Sequence, residues 1–69
     1  MKTKTLEQLG FEKKVYLSEN PLVTMDLKIG RYLFMSAIGN DFVSLFRDGD
    51  LLCKIKSSEH LENLIPLFK

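Results

Sequence analysis

The chain has 69 residues, 45% of them hydrophobic and 28% charged, and its ten basic and nine acidic side chains leave a formal charge of +1. A chain this short makes one small domain, which buries only about 60% of the surface its unfolded form exposes and therefore has little stability in reserve. It is too apolar for intrinsic disorder, and the near-neutral balance counts against a nucleic-acid module, which normally carries a basic excess.

Cys53 is the single cysteine, so no internal disulfide forms. A reducing compartment and a thiol buried in a strand are the expectation. Met1-Lys2-Thr3-Lys4-Thr5 is basic but meets a charged segment in place of an apolar run, so no secretory signal is expected. No apolar run approaches the ~18 residues of a membrane span. The expected location is the cytoplasm, without membrane contact.

In chain order, residues 1–4 are expected to be disordered. Thr5-Leu6-Glu7-Gln8 has the spacing of a capping box, with Thr5 as N-cap. Gly10 suits the left-handed position after a helix end, and Phe11 folds back onto Leu6. The reading is one helical turn over residues 6–9. Residues 12–18 form a first strand with Val15 and Leu17 on one face, ended by Asn20-Pro21. No tight turn settles its pairing, and a sheet edge is a natural place for it.

Residues 22–27 alternate, with Val23, Met25 and Leu27 on one face. A two-residue loop at Ile29-Gly30 would force a β-branched residue to positive φ, so the three-residue loop Lys28-Ile29-Gly30 is preferred. That loop sets Leu27 opposite Arg31 and Met25 opposite Leu33. Gly39-Asn40 suits a type II′ loop, placing Ile38 opposite Asp41, and Asp48-Gly49 suits type I′. These set Leu33 opposite Phe46, Ala37 opposite Phe42, Phe46 opposite Leu51 and Phe42 opposite Ile55. One face then carries Val23, Met25, Leu27, Leu33, Met35, Ala37, Phe42, Phe46, Leu51, Cys53 and Ile55, with Ser44 as its polar member. Agreement among three turns makes this the predicted core face.

Ser57-Ser58 offers an N-cap. Leu61, Leu64, Ile65 and Phe68 make a helical stripe, expected to cover that face from a helix over residues 58–65, with its end unwound at Pro66. The predicted fold is α+β: a short N-terminal turn, a five-stranded antiparallel meander (flat or curled towards a partly open barrel) and a C-terminal helix on one face.

The opposite face holds the candidate partner-binding residues Tyr32, Phe34, Leu45, Arg47, Leu52 and Lys54, with Phe34, Leu45 and Leu52 in one cross-strand row. A solvated face should be more polar than this. Three readings compete: the first strand or N-terminal turn folds over the row; a second copy or another protein covers it; or Tyr32 and Phe34 stack on bases while Arg31, Arg47, Lys54 and Lys56 meet phosphates. In outline the layout resembles SH3-like and chromo-like modules.

His60 lacks convergent partners and reads as a solvent-facing helix residue. Asp41, Asp48 and Asp50 lack the ligand series of a calcium loop. No catalytic residue, metal, cofactor or small-molecule site is expected. The opening Thr5-Leu6-Glu7-Gln8-Leu9-Gly10-Phe11-Glu12, followed by strands and a short helix, resembles small uncharacterised prophage-borne proteins of Gram-positive bacteria. That resemblance implies a mobile-element accessory protein or inhibitor that acts by binding. The leading expectation is a non-enzymatic protein-interaction module using a sheet face or strand edge, with a small nucleic-acid binder as the alternative.

Overall fold

A computed structural model describes residues 2–69. The elements are α1 (Thr3–Gln8), β1 (Glu12–Tyr16), β2 (Leu22–Ile29), β3 (Tyr32–Ala37), β4 (Val43–Arg47), β5 (Asp50–Ile55), α2 (Ser58–Leu64) and a terminal 3₁₀ turn (Ile65–Leu67). The five strands form one antiparallel sheet in the order β1-β2-β3-β4-β5, an open meander with β1 and β5 at its edges. This is the α+β meander that the alternation and turn signals predict, and the sheet does not close into a barrel.

The N-terminal helix begins earlier than the capping box implies. Lys2 stands at the N-cap without a side-chain cap bond, and Thr5 lies inside the helix. Of the four residues expected to be disordered, Met1 lies outside the described residues, while Thr3 and Lys4 are helical. The helix end follows expectation. Gly10 has φ 99°, its N–H donates to the Glu7 carbonyl, and the Phe11 N–H donates to the Leu6 carbonyl, both at 3.0 Å. These two bonds form a Schellman motif, and they turn Phe11 back towards the core beside Leu6.

Two registers follow their turn signals. Asp48 and Gly49 both take positive φ, 50° and 88°, as a type I′ turn requires, and Arg47 pairs with Asp50. Leu33 pairs with Phe46 and Phe34 with Leu45. The intervening loop differs in detail. The Asn40 N–H donates to the Ala37 carbonyl at 3.0 Å with Gly39 at φ 98°, so residues 37–40 make the turn with glycine in its third position, a type II arrangement.

The β2–β3 register differs from expectation. Ile29 pairs with Tyr32 and Leu27 with Phe34, so the loop is Gly30-Arg31. Gly30 takes φ 60° while Arg31 does not enter the positive-φ region, the pattern of a type II′ loop with glycine first. Ile29 thereby stays in an extended strand conformation, which resolves its steric conflict better than a three-residue loop does. Leu27 faces Phe34 in place of Arg31, three positions further along β3. An odd displacement exchanges the faces.

A second irregularity acts likewise on β5. Phe46 pairs with Leu51 but Leu45 pairs with Cys53, leaving Leu52 as the extra residue of a bulge. Ile55 therefore faces Val43, not Phe42. The corrected core face carries Met25, Leu27, Phe34, Val43, Leu45 and Ile55, and both helices pack on it. Leu6 arrives from α1, Phe11 from the turn that follows it, and Leu61 and Ile65 from α2 and the 3₁₀ turn. The predicted core side, Leu33, Met35, Phe42 and Phe46, lies on the other face. Cys53 is exposed, not buried.

The C-terminal stripe behaves as its spacing predicts, although the face it covers keeps Met25, Leu27 and Ile55 of the expected set and has Phe34, Val43 and Leu45 in place of Leu33, Met35, Phe42 and Phe46. Ser57 Oγ accepts from the His60 N–H at 3.3 Å, capping α2. Pro66 ends the regular helix by tightening Ile65–Leu67 into a 3₁₀ turn. That turn delivers Phe68 onto Tyr32 and Phe34, with ring centroids 4.6 and 5.5 Å apart.

Phe34 is wholly buried at the centre of this packing, whereas Leu67 is 78% exposed. Phe34→Ala is expected to cost about 3–5 kcal/mol, enough to unfold much of a domain this small. Leu67→Ala should stay within about 0.5 kcal/mol of the parent. Urea denaturation followed by circular dichroism measures both.

Candidate functional site

The six residues singled out from the sequence divide between core and surface. Phe34 and Leu45 are 0% and 4% exposed and sit in the core under the helices. Phe34 and Leu45 are therefore internal, whereas the bulge removes Leu52 from the row and puts Cys53 opposite Leu45. The reading in which the N-terminal turn folds over the row holds in part, because the Phe11 ring meets Phe34 edge-on at 6.4 Å. Tyr32 is half-buried against Phe68. Arg47 is exposed, its guanidinium carbon 5.9 Å from the Tyr32 ring. Leu52 projects from the bulged edge strand at 52% exposure, and Lys54 is exposed on the other face, its ammonium 4.9 Å from the Phe42 ring. These residues do not form one continuous surface. Nor is Phe34 open for base stacking.

The face without a helix is the one that remains available. Pairing places Glu12 opposite Asp26, Lys14 opposite Thr24 and Tyr16 opposite Leu22 on this side. Asp26 then neighbours Met35, and Lys28 neighbours Leu33. Of these, Glu12, Lys14, Tyr16, Asp26, Lys28, Leu33 and Met35 border an open groove of about 780 Å³. Its apolar lining is Leu33, Met35 and Phe46 on this face together with Leu27, all half-buried. Three acidic residues (Glu12, Asp26, Asp48) offset three basic ones (Lys14, Lys28, Arg31) around it.

Asp26 is the unusual member. Its side chain is 5% exposed, and the neighbouring Thr24 is 1% exposed. Asp26 Oδ1 and Thr24 Oγ1 are buried without a hydrogen-bond partner. The remaining carboxylate oxygen accepts from the Tyr16 hydroxyl at 3.4 Å, well beyond the usual length for such a bond. Glu12 stands directly across the ladder, and like charges in that relation destabilise a sheet. Removing a carboxylate from water without a close cation costs on the order of several kcal/mol.

Sequence reasoning missed this site. One signal was legible: an aspartate alternating between apolar residues in a long central strand. Its burial and its facing glutamate depend on the pairing of β1, which no tight turn sets. Among the described residues no cluster of three or more histidine, cysteine, aspartate or glutamate side chains forms a metal site, and His60 is exposed on α2.

Comparison with known proteins finds no matching family model, curated protein or solved structure.

Thr24 provides a direct check on the orphaned hydroxyl. Thr24→Val preserves the β-branched shape while removing the unpartnered group, so stability should rise by about 1 kcal/mol. A loss of stability in thermal or urea denaturation would show that the hydroxyl has a partner in solution.

Proposed function

We propose that this protein is a non-enzymatic module that binds another polypeptide chain in the groove on its helix-free sheet face. The observation that carries the reading is the groove itself: an apolar strip of Leu33, Met35 and Phe46, left without cover and bordered by charges of both signs. Interfaces between proteins combine an apolar centre with a polar rim in this way.

The charge balance favours a polypeptide over nucleic acid. Binding to phosphates draws its affinity from counterion release by a cationic surface, whereas the acidic and basic residues of this groove offset each other. The exposed thiol of Cys53 suits a reducing, cytoplasmic setting. No helix among the described residues is long and apolar enough to cross a membrane. A mobile-element accessory role, as the N-terminal resemblance implies, is compatible with such a module.

Selection of random displayed peptides on the immobilised protein tests the reading. Enriched peptides should shift the methyl resonances of Leu33 and Met35. Their affinity should fall about tenfold or more on Met35→Glu, which places an unpaired charge in the apolar strip, and stay unchanged on Leu67→Glu. Peptides that map elsewhere would overturn the assignment. So would binding of single-stranded oligonucleotides at this face with a log–log salt slope near about −0.7 per phosphate contact.

A further inference from the structure

Deepening the polypeptide-binding reading and resting on it, we infer that Asp26 is the anchor for a guanidinium group, the side chain of an arginine carried by the bound chain. Three observations converge on one point of the groove. Asp26 is a carboxylate at 5% exposure whose Oδ1 has no partner. Glu12 faces it directly across the β1–β2 ladder, so two acidic groups share one spot. No cation among the described residues is paired with either.

A planar guanidinium meets these demands better than an ammonium or a metal ion. Its fork presents five donors in fixed directions, enough to engage Asp26 and Glu12 together. Its weak hydration lowers the cost of entering a half-buried site. The Met35 side chain adjoins Asp26 in register, and the apolar strip receives the methylene stem of an arginine. The Tyr16 ring, also bordering the groove, offers an aromatic face for the cation. A metal ion would need further ligands, and no cluster of three such side chains stands here among the described residues.

Tyr16 controls access. Its hydroxyl makes the long 3.4 Å contact to Asp26, and it belongs to an edge strand whose five residues are all exposed. A stronger donor reaching Asp26 has to displace this hydroxyl, and the length of the contact makes that exchange inexpensive. Lys14, Lys28 and Arg31 also border the groove and are the internal competitors, Lys14 standing two ladder positions away opposite Thr24.

The test uses single-residue probes, so it does not depend on finding the natural partner. Nα-acetyl-arginine methylamide, its lysine analogue and the uncharged citrulline analogue are titrated into the protein, with the Tyr16 ring and Met35 methyl signals followed by NMR. The arginine probe should saturate with a Kd on the order of millimolar, tighter than lysine and about tenfold tighter than citrulline. Asp26→Asn should reduce arginine binding to the citrulline level while the thermal midpoint stays level or rises, because an unpaired buried charge has gone.

Equal binding of citrulline and arginine, stronger binding of lysine, or undiminished arginine binding to Asp26→Asn would overturn the assignment. So would the absence of any response to the arginine probe up to about 100 mM, roughly a hundredfold above a millimolar Kd. If Asp26→Asn proves unfolded, Glu12→Gln on the exposed edge strand serves in its place. It should weaken arginine binding by about threefold, a loss appropriate to one more exposed charge contact, and an unchanged affinity there would also overturn the inference. Failure of these probes, alongside groove-binding peptides that lack arginine, would remove the anchor and leave the groove reading intact.

Discussion

Gly30, at φ 60°, opens the two-residue loop that closes the longest hairpin of the sheet, and the way round in which the domain is built depends on it. The loop brings Ile29 opposite Tyr32 and Leu27 opposite Phe34. Met25, Leu27 and Ile29 then share a face with Tyr32 and Phe34, and the two helices close over that face. Moving the pairing by an odd number of residues would place Phe34 on the far side from Leu27 and divide the aromatic cluster from its aliphatic support. Burial of an aromatic ring and its neighbours is worth several kcal/mol, and a 69-residue chain has few other sources of stability.

The remaining elements adapt to this choice. The bulge at Leu52 turns Cys53 and Ile55 to the Leu45 and Val43 side, which brings Ile55 into the core just before α2 begins. Pro66 prevents a longer regular helix, and the 3₁₀ turn it imposes lands Phe68 on Tyr32 and Phe34. At the other end, the Schellman turn at Gly10 folds Phe11 back beneath the sheet. Both helical segments are spent on one face. The other keeps its apolar strip, its mixed charges and a carboxylate, Asp26, that the fold itself does not satisfy.

That imbalance links stability to the proposed binding role. A domain with so little reserve would gain from valine at position 24, which removes a buried hydroxyl without a partner, or from a neutral group at position 26, which removes a buried charge without a cation. Keeping such groups beside an open groove is an arrangement suited to a surface whose hydrogen bonds and charges are completed by another molecule. Local rules of this kind are broken most often at functional sites.

Much of the architecture is legible in the residues alone. Alternating apolar positions, the glycine-containing turns and the Leu61-Leu64-Ile65-Phe68 stripe specify five strands and a terminal helix, and Asp48-Gly49 specifies its own turn type. These are local properties, set by backbone sterics and side-chain periodicity. Which face is covered is not local. Both faces of the meander are apolar enough to attract a helix, and Lys28-Ile29-Gly30 and Gly30-Arg31 each put the one glycine at positive φ. Only packing separates those loops, through Phe34 fitting between Phe11, Phe68 and the sheet. The groove inherits the same dependence. The sequence by itself determined the strands, most of the turns and the helical stripe. The tertiary structure decided which side they bury and made Asp26, opposite Glu12 on the far side, a candidate anchor.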